Sequence, residues 1–331
     1  MNLDGKRIMI SRTDSIGDVL LTLPICTWLK TKNPKSSILF LGKTYTRPVV
    51  DLYSSVDTFV NWDDFSLLSK KEKLKKWNGL DIDIIIHVFP NKKIAQLAKK
   101  ANTKLRVGTS HRLFHLWNCN KTVSFTRKKS DLHESQLNYE LLRPLGLKEI
   151  PSLSAIIKTT KFFSAPNVSL PKALSNVTDD LTVFHPKSKG SALEWPIDCY
   201  FELASILAKQ GRIIVFTGTK LEGEMFKKQI PKHKNIIDAT GVLNLEQLIF
   251  LISHAKNFVA CSTGPLHIAA FLGVNTIGIY SSKRPIHPGR WGAIGVSVKN
   301  LVGDDSDSSE KMKDRDHVEG VSVKQVLEQM L

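Results

Sequence analysis

Residues 258–270, FVACSTGPLHIAA, combine an apolar run, a short polar turn and the start of a helix. Residues 258–261 form the kind of short apolar run that a parallel strand shows when both of its faces are covered. The turn contains Gly264, which lets a ligand approach the backbone closely, and Pro265, which suits the first turn of a helix. This order of features predicts a buried β-strand leading directly into an α-helix, which points to an α/β fold.

The same segment carries candidate binding residues. A helix that begins at the carboxyl end of a parallel strand points free N–H groups at the crevice where open α/β sheets bind ligands. Ser262, Thr263 and Gly264 lie at that point, and His267 follows in the first turn. The segment therefore predicts a site for an anion such as a phosphate. The alternative for this segment alone is an ordinary strand-to-helix connection with a good cap, since short motifs of this kind often match by chance.

Short apolar runs alternate with helical stretches along both halves of the chain. Strands are predicted at 7–11, 37–41, 58–62, 82–88 and 105–108, and again at 181–184, 212–216, 235–238, 258–261 and 275–280. Such alternation builds parallel sheets with right-handed crossovers. A proline-punctuated stretch at 147–181 is predicted to be a linker, and 112–117 and 123–125 to be loops. We therefore expect two doubly wound, Rossmann-like domains, 1–165 and 166–331.

Three loops of the second domain follow predicted strands, at 185–191, 217–224 and 262–267. The carboxyl ends of parallel strands meet at one edge of a sheet, so the loops are expected to cluster there. The dinucleotide fingerprint G-x-G-x-x-G is absent after the first strand, which lowers the odds of a nicotinamide or flavin enzyme. Asp81 and Asp83 have metal-site spacing but precede an apolar run, so they are interpreted as a strand entry, and no metal is predicted.

The composition limits the class of protein. The chain has 331 residues and four scattered cysteines with no C-x-x-C pair, which indicates reduced thiols in a cytosolic protein. Neither a signal peptide nor a membrane-spanning run is found, so a cytoplasmic protein is expected. The net charge of +16 favours an anionic partner: nucleic acid, a phosphorylated glycolipid or the inner membrane surface. The alternative is that many of the lysines lie on solvated helix faces.

Three segments together resemble glycosyltransferase family 9, the ADP-heptose–lipopolysaccharide heptosyltransferases and their relatives. They are SIGDVL at 15–20, the pair His185-Pro186 with Trp195-Pro196, and STGPLH at 262–267. The resemblance covers nearly the whole chain. It implies a GT-B fold, with two Rossmann-like domains facing a central cleft. It also implies inverting, metal-independent transfer of a sugar, without a cofactor, from a nucleotide diphosphate to a lipopolysaccharide or related glycan.

The resemblance assigns roles to individual residues. Asp18 matches the proposed catalytic base, for which Asp14 is the weaker candidate and a helix-capping role the alternative. Thr263, Gly264 and His267 match the pyrophosphate-binding turn. Glu222 matches the position expected to bind the ribose hydroxyls, with Glu224 as its neighbouring candidate.

Two positions depart from the family pattern, and both face the donor in the family. The acidic residue that usually precedes Thr-Gly is Ser262 here, and the lysine usually found just before x-Trp-Pro is Leu193. Lys187 or Lys189 could replace the lost positive charge against the diphosphate. These departures leave heptose open as the transferred sugar, although an ADP-sugar is favoured. They also keep an inactive, donor-binding relative as an alternative.

Basic residues cluster in the first domain, which favours an anionic glycolipid or glycan acceptor and peripheral association with the inner membrane. They are Lys70, Lys71, Lys73, Lys75 and Lys76; Lys92, Lys93, Lys99 and Lys100; and Arg127, Lys128 and Lys129. A nucleic-acid-binding protein is the rival, but the sequence contains no RNP-type or helix-turn-helix motif, so no nucleic-acid partner is predicted. A nucleotide-sugar epimerase of similar fold is the other alternative.

Overall fold

The computed structural model describes residues 2–127, 130–174, 180–283, 286–303 and 317–330, with the side chain of 317 left out. Lys128 and Lys129 of the predicted basic clusters lie outside these ranges. The chain divides into two compact units, Met1–Phe163 and Ser164–Leu331. The strand order of each is what positions the candidate sites.

The described part of the first unit contains a six-stranded parallel sheet in the order β3-β2-β1-β4-β5-β6. Its strands are β1 (Arg7–Ser11), β2 (Ser37–Gly42), β3 (Thr58–Asn61), β4 (Ile84–His87), β5 (Leu105–Thr109) and β6 (Lys121–Val123). Its helices are α1 (Ile16–Leu20), α2 (Leu23–Lys32), α3 (Arg47–Asp51), α4 (Asp63–Ser66), α5 (Lys70–Asn78), α6 (Lys92–Lys100), α7 (Leu113–Asn118), α8 (Glu134–Tyr139) and α9 (Leu153–Ile157). Short 3₁₀ helices lie at Thr44–Thr46, Glu140–Leu145 and Lys158–Phe162.

The second unit repeats this arrangement. Its described residues form a six-stranded parallel sheet in the order β12-β11-β10-β7-β8-β9. The strands are β7 (Leu181–His185), β8 (Ile213–Phe216), β9 (Ile236–Asp238), β10 (Ala255–Cys261), β11 (Asn275–Tyr280) and β12 (Val298–Val302). The helices are α10 (Ile197–Lys209), α11 (Lys220–Glu224), α12 (Leu245–Ser253), α13 (Gly264–Phe271), α14 (Pro288–Trp291) and α15 (Val323–Leu327), with 3₁₀ turns at Lys172–Leu174, Lys227–Gln229 and His317–Gly320.

Both sheets are doubly wound, which confirms the predicted fold class. In the first unit the strand order reverses between β1 and β4, and in the second between β7 and β10. Doubly wound sheets bind ligands in the crevice outside the carboxyl ends of the two strands at such a reversal. Two switch points follow, and each is flanked by a predicted motif: residues after β1 in the first unit and after β10 in the second.

Several local predictions were wrong. The predicted loop at 112–117 contains most of helix α7, and the predicted linker contains helix α9, whereas in the predicted loop at 123–125 only Val123 belongs to a strand, β6. The segment after β1 forms two successive helices, α1 and α2, with Pro24 in the first turn of α2. Strand β12 was missed because it lies at the sheet edge, where its half-exposed residues lack a long apolar run. The Asp83 carboxylate does lie at a strand entry, where it accepts a 3.1 Å hydrogen bond from the Arg7 backbone.

Candidate functional site

The helix after β10 begins without a side-chain cap, as α10 and α14 also do, whereas α11, α12 and α15 each have one. Helices α12 and α15 close their first turns with capping boxes built on Asn244 and Ser322. Thr263 occupies the corresponding position of α13, but its side chain makes no capping hydrogen bond. Because the first N–H groups of a helix have no partner within the helix, they remain available to an anion here.

The side chain of Thr263 supports this interpretation. Thr263 is only 5% exposed, and its buried hydroxyl has no hydrogen-bond partner among the described residues. A buried hydroxyl without a partner is rare in folded proteins, because it loses its bonds to water without replacement. His267, one turn further along, is 3% exposed and its backbone N–H donates to the Thr263 carbonyl at 3.4 Å. Thr263 and the first turn of α13 therefore form a candidate anion site.

The loop after β7 borders the same switch point. His185, the last residue of β7, is buried, and its Nδ1 shares a 3.0 Å hydrogen bond with the Thr217 hydroxyl in the loop after β8. Burial lowers the pKa of His185 to about 4, with Glu222 opposing the shift, so the imidazole is neutral at pH 7. Neighbouring loops after β10, β7 and β8 thus meet at one edge of the sheet, as predicted from the sequence.

The two predicted lysines of this loop have different surroundings. The Lys187 ammonium lies 2.8 Å from a carboxylate oxygen of Glu194, and the other oxygen of Glu194 accepts a 2.8 Å bond from the Ser188 backbone. Although burial acts to raise the pKa of Glu194, hydrogen bonds from Lys187 and Ser188 lower it overall. The charge of Lys187 is therefore already balanced within the loop. Lys189 is exposed and has a positive φ of 51° beside Gly190.

Trp195 joins this loop to the start of the candidate anion site. Its indole is 1% exposed and donates to the Val321 carbonyl at 2.7 Å, while its backbone N–H donates to Cys261 Sγ at 3.1 Å. Cys261 is the last residue of β10 and directly precedes Ser262. Leu193 packs against the same core. The Trp-Pro motif is thus a structural anchor that holds two loops together, a role that its sequence alone does not indicate.

Glu222, the predicted ribose ligand, belongs to a capping box. One of its carboxylate oxygens accepts from the Thr219 backbone N–H at 2.6 Å and from the Thr219 hydroxyl at 2.7 Å. The residue is 6% exposed and closes the first turn of α11. Gly223 is packed so tightly that a Cβ there would lie 2.1 Å from the Thr240 hydroxyl. Glu222 therefore stabilises α11, and its part in ribose binding remains a prediction.

In the first unit, the residues after β1 form a charged cluster around a buried arginine. The Arg12 side chain is 4% exposed and contacts the carboxylates of Asp14 at 2.7 Å and of Asp18. Glu134, at the start of α8 and 1% exposed, lies 3.6 Å from Arg12 and 3.0 Å from Arg127. Asp18 lies in the first turn of α1. Sequence analysis found the two aspartates but missed Arg12 and Glu134.

Asp14 differs from an ordinary surface aspartate. Burial raises its pKa to about 6, Arg12 opposes this shift, and the neighbouring Asp18 charge adds to it. Asp14 and Asp18 both remain about one-fifth exposed, so solvent or a ligand reaches each carboxylate. The first switch point therefore presents two accessible carboxylates held by one buried guanidinium, an arrangement suited to accepting a proton from a bound hydroxyl.

A buried polar pair lies at the end of neighbouring strand β4. His87 is fully buried, and its ring centroid is 5.4 Å from that of His115 on α7. Neither ring nitrogen of His87 has a partner among the described residues, and neither does the hydroxyl of Ser11, its neighbour across β1 and β4. Burial, with smaller contributions from His115 and Arg106, lowers the pKa of His87 to about 3. His87 is thus neutral throughout the physiological range.

Replacing His87 is expected to reduce the loss of unfolding free energy as the pH falls. A histidine whose pKa is near 3 when folded and near 6.5 when unfolded stabilises the fold above pH 6.5, and this stabilisation is lost as the pH falls. Between pH 7.5 and 5.0 the wild type should lose about 2 kcal/mol more unfolding free energy than His87→Leu. Urea unfolding at both pH values measures this difference. The exposed His111→Leu serves as the control, and equal losses in wild type and His87→Leu would contradict the prediction.

Two features are absent from the described ranges. No described helix is both long and apolar enough to cross a membrane. Within the same ranges, no three His, Cys, Asp or Glu side chains come together in a way that could hold a metal ion.

Comparisons with known proteins agree with this architecture. The sequence profile of glycosyltransferase family 9 (heptosyltransferase) matches residues 80–321. A Haemophilus influenzae protein, provisionally named a glycosyltransferase, is 25% identical over 316 residues, which cover 90% of this chain and 88% of that protein. The structure of a Veillonella parvula glycosyl transferase of family 9 superposes with a TM-score of 0.79 at 22% identity, covering 99% of this chain and 97% of the other. Escherichia coli ADP-heptose lps heptosyltransferase II superposes with a TM-score of 0.72 at 16% identity, covering 98% and 97%.

Proposed function

The chain belongs to glycosyltransferase family 9 and is a glycosyltransferase, and from this premise we propose that it transfers a sugar from a nucleotide diphosphate to a lipopolysaccharide or related cell-surface glycan. The transfer inverts the anomeric carbon and uses no metal. An ADP-sugar is the favoured donor, because a relative of the same fold is named for ADP-heptose and lipopolysaccharide. The observation that carries the proposal is the uncapped first turn of α13 beside the unpartnered Thr263 hydroxyl.

The second unit binds the donor diphosphate. The backbone N–H groups at Gly264 and Leu266 and the Thr263 hydroxyl donate to its oxygens, while His267 lies in the same turn. Hydrogen bonds to a charged oxygen are stronger than neutral ones, and they strengthen further as the leaving diphosphate gains charge. Lys189, exposed on the neighbouring loop, supplies a positive charge, whereas Lys187 is held by Glu194. Glu222 binds the ribose hydroxyls through carboxylate lone pairs that the capping box does not use.

The first unit binds the acceptor, and Asp18 acts as the base. As the acceptor oxygen forms its bond to the anomeric carbon, its proton passes to the Asp18 carboxylate. The bond from that carbon to the diphosphate breaks at the same time, and the electron pair leaves with the diphosphate. Arg12 supports this role because it holds the Asp18 carboxylate in place from a buried position. The same guanidinium also contacts Asp14 and lies 3.6 Å from Glu134, so it is shared among three carboxylates.

The transferred sugar is heptose or another sugar. Ser262 replaces the acid that usually precedes Thr-Gly in the family, and Leu193 replaces a lysine. Leu193 packs against the core of the second unit, so no charge approaches the donor from that position. Loss of both charges changes which sugar the donor site prefers. The first turn of α13, which binds the diphosphate, is not altered.

The acceptor is an anionic glycolipid or glycan, and the enzyme is cytoplasmic, with peripheral association at the inner membrane. The basic residues of α5 and α6 support an anionic partner. Lys70, Lys71, Lys75 and Lys76 on α5 and Lys92, Lys93, Lys99 and Lys100 on α6 are all exposed. Each basic residue near an anionic bilayer contributes on the order of 1 kcal/mol.

A thermal-shift panel of ADP-, GDP-, UDP- and CDP-sugars tests the donor site. We expect the ADP-sugar to raise the melting temperature most, since a ligand that binds the folded state stabilises it. Thr263→Val should weaken donor binding by roughly 10-fold or more, the value of one hydrogen bond to a charged group. Thr182→Val is the matched control, because Thr182 is also buried and its hydroxyl has no hydrogen-bond partner in the described part of the chain, but it lies within β7.

Two outcomes would contradict the proposal. If no nucleotide sugar stabilises the folded protein, or if Thr182→Val weakens binding as much as Thr263→Val, the site at α13 is wrong. Product analysis with and without an acceptor separates transfer from epimerisation, since only an epimerase converts the donor alone.

A further inference from the structure

Helix α7 has its apolar side chains on the outside. Leu113, Leu116 and Trp117 are 70%, 50% and 69% exposed, and their spacing places them on one face of the helix. The side chains buried on the inner face are His115 and Asn118. Surface helices normally show the reverse, with polar residues outward and apolar residues inward. The outward apolar face is therefore unexplained by the packing of the first unit.

Trp117 is unusual among the tryptophans of the chain. All six tryptophans lie within the described ranges, and of these six only Trp117 is exposed. Large exposed apolar side chains that cluster on one face commonly mark a surface that binds a membrane or another protein. Tryptophan favours the boundary between water and lipid, because its ring is apolar and its N–H is polar.

The helix is held rigidly against the sheet by its inner face. The Thr109 backbone N–H of β5 donates to His115 Nδ1 at 3.1 Å. A Cβ on Gly108 would lie 2.6 Å from His115 Nδ1, so α7 lies directly against β5. The Lys99 ammonium of α6 donates to the Trp117 carbonyl at 2.6 Å. The exposed face is thus a fixed platform.

The segment of the chain that contains α7 is basic and has no acidic residues. Residues 88–130 contain eleven Lys and Arg residues and no Asp or Glu. Helix α6 packs against α7 and carries four exposed lysines, and Arg112, directly before α7, is exposed as well. An apolar face with cations around it and no acids in its own segment complements a surface of negative headgroups over an apolar interior. A protein partner would need an acidic rim around an apolar patch.

We propose that α7 is the membrane-docking element of this protein, with Leu113, Leu116 and Trp117 inserting into the headgroup region of an anionic bilayer. The lysines of α6 and Arg112 bind the anionic headgroups. The helix has six residues, so it lies at the interface and does not span the bilayer. This inference rests on the proposed glycolipid acceptor and assigns membrane contact to one surface of the first unit. Membrane docking requires neither donor binding nor catalysis.

Vesicle binding tests the proposal. Sedimentation with vesicles of phosphatidylglycerol and phosphatidylcholine, compared with phosphatidylcholine alone, should show binding to the anionic vesicles that weakens as salt increases. Brominated lipids should quench the fluorescence of wild type and leave that of Trp117→Phe nearly unquenched. The triple variant Leu113→Ser/Leu116→Ser/Trp117→Ser should bind at least 10-fold more weakly. Leu221→Ser/Val296→Ser is the matched control, because both residues are more than 70% exposed in the second unit.

The same variants separate this proposal from the proposed function. The triple variant should retain the wild-type melting temperature and its shift with ADP-sugar, which shows that the protein folds and binds donor. Vesicle binding by the triple variant equal to that of wild type would overturn the proposal, as would unquenched Trp117 in vesicle-bound wild type. Self-association through α7 without vesicle binding would also overturn it. None of these outcomes bears on donor binding, which the thermal-shift panel tests alone.

Discussion

We expect Asp18→Asn to lower the rate of sugar transfer by about 10²–10⁴-fold, the usual contribution of a general base. The amide keeps the shape of the carboxylate and can still accept a hydrogen bond from Arg12, but it cannot take the proton of the acceptor hydroxyl. Donor binding should not change, because the proposed donor site lies in the second unit. Transfer rates with an ADP-sugar and the donor-induced thermal shift together measure the two effects.

Asp14→Asn is the matched control for this experiment. Asp14 contacts the same guanidinium, and its pKa of about 6 lies near the range that a base needs. We expect it to affect transfer far less than Asp18→Asn does, since the family resemblance places the base at Asp18. Retained turnover in Asp18→Asn with loss in Asp14→Asn would assign the base to Asp14 and reject the present assignment.

Arg12→Met destabilises the fold by about 3–5 kcal/mol at pH 7.5, the usual cost of leaving buried charges without their partner. The 4% exposed Arg12 side chain is close to three carboxylates, and removing it leaves Asp14, Asp18 and the fully buried Glu134 facing one another. Arg127 continues to pair with Glu134 and limits the loss. Urea unfolding of wild type and variant measures the difference.

The pH dependence of the Arg12→Met variant provides the check on this explanation. Arg12 opposes the rise in the pKa of Asp14, so without the guanidinium that pKa rises further in the folded state, and the variant is destabilised most where Asp14 is ionised. The difference in unfolding free energy between wild type and Arg12→Met, the deficit of the variant, should therefore shrink as the pH falls from 7.5 to 5.0. Arg47→Met is the control, because the Arg47–Asp51 pair is largely exposed and is worth less than about 1 kcal/mol. A deficit as small as that of Arg47→Met, or one independent of pH, would contradict the explanation.

The two units place their candidate residues at equivalent points of their sheets. In each unit the strand order reverses next to the strand that precedes the motif, β1 before Asp18 and β10 before Thr263. The chemistry at the two points is opposite. The first unit presents carboxylates, which accept protons, and the second presents N–H groups and a hydroxyl, which donate to an anion. This division matches the two needs of an inverting transfer, a base for the acceptor and a cradle for the leaving group.

The strands that could be predicted are those with buried, apolar runs. Strands β1, β2, β7, β10 and β11 all lie within or close to their predicted ranges, because both faces of a central parallel strand are covered and its sequence is continuously apolar. Of the half-exposed edge strands, β3 and β9 were predicted, whereas β6 and β12 were missed. Helix α7 was missed for the opposite reason: its apolar residues face solvent, so its pattern does not match that of a packed helix.

The sequence by itself determined the α/β class, the two-unit organisation and the positions of the loops that carry Asp18 and Thr263. These features depend on local periodicity and turn chemistry, which neighbouring residues set. Only the tertiary structure decided which distant residues meet. Arg12 lies beside Glu134, and Trp195 bonds Cys261, because the strand order of each sheet brings separate segments together. No local pattern encodes that order, so the groups that hold the two candidate sites in place became visible only in the folded chain.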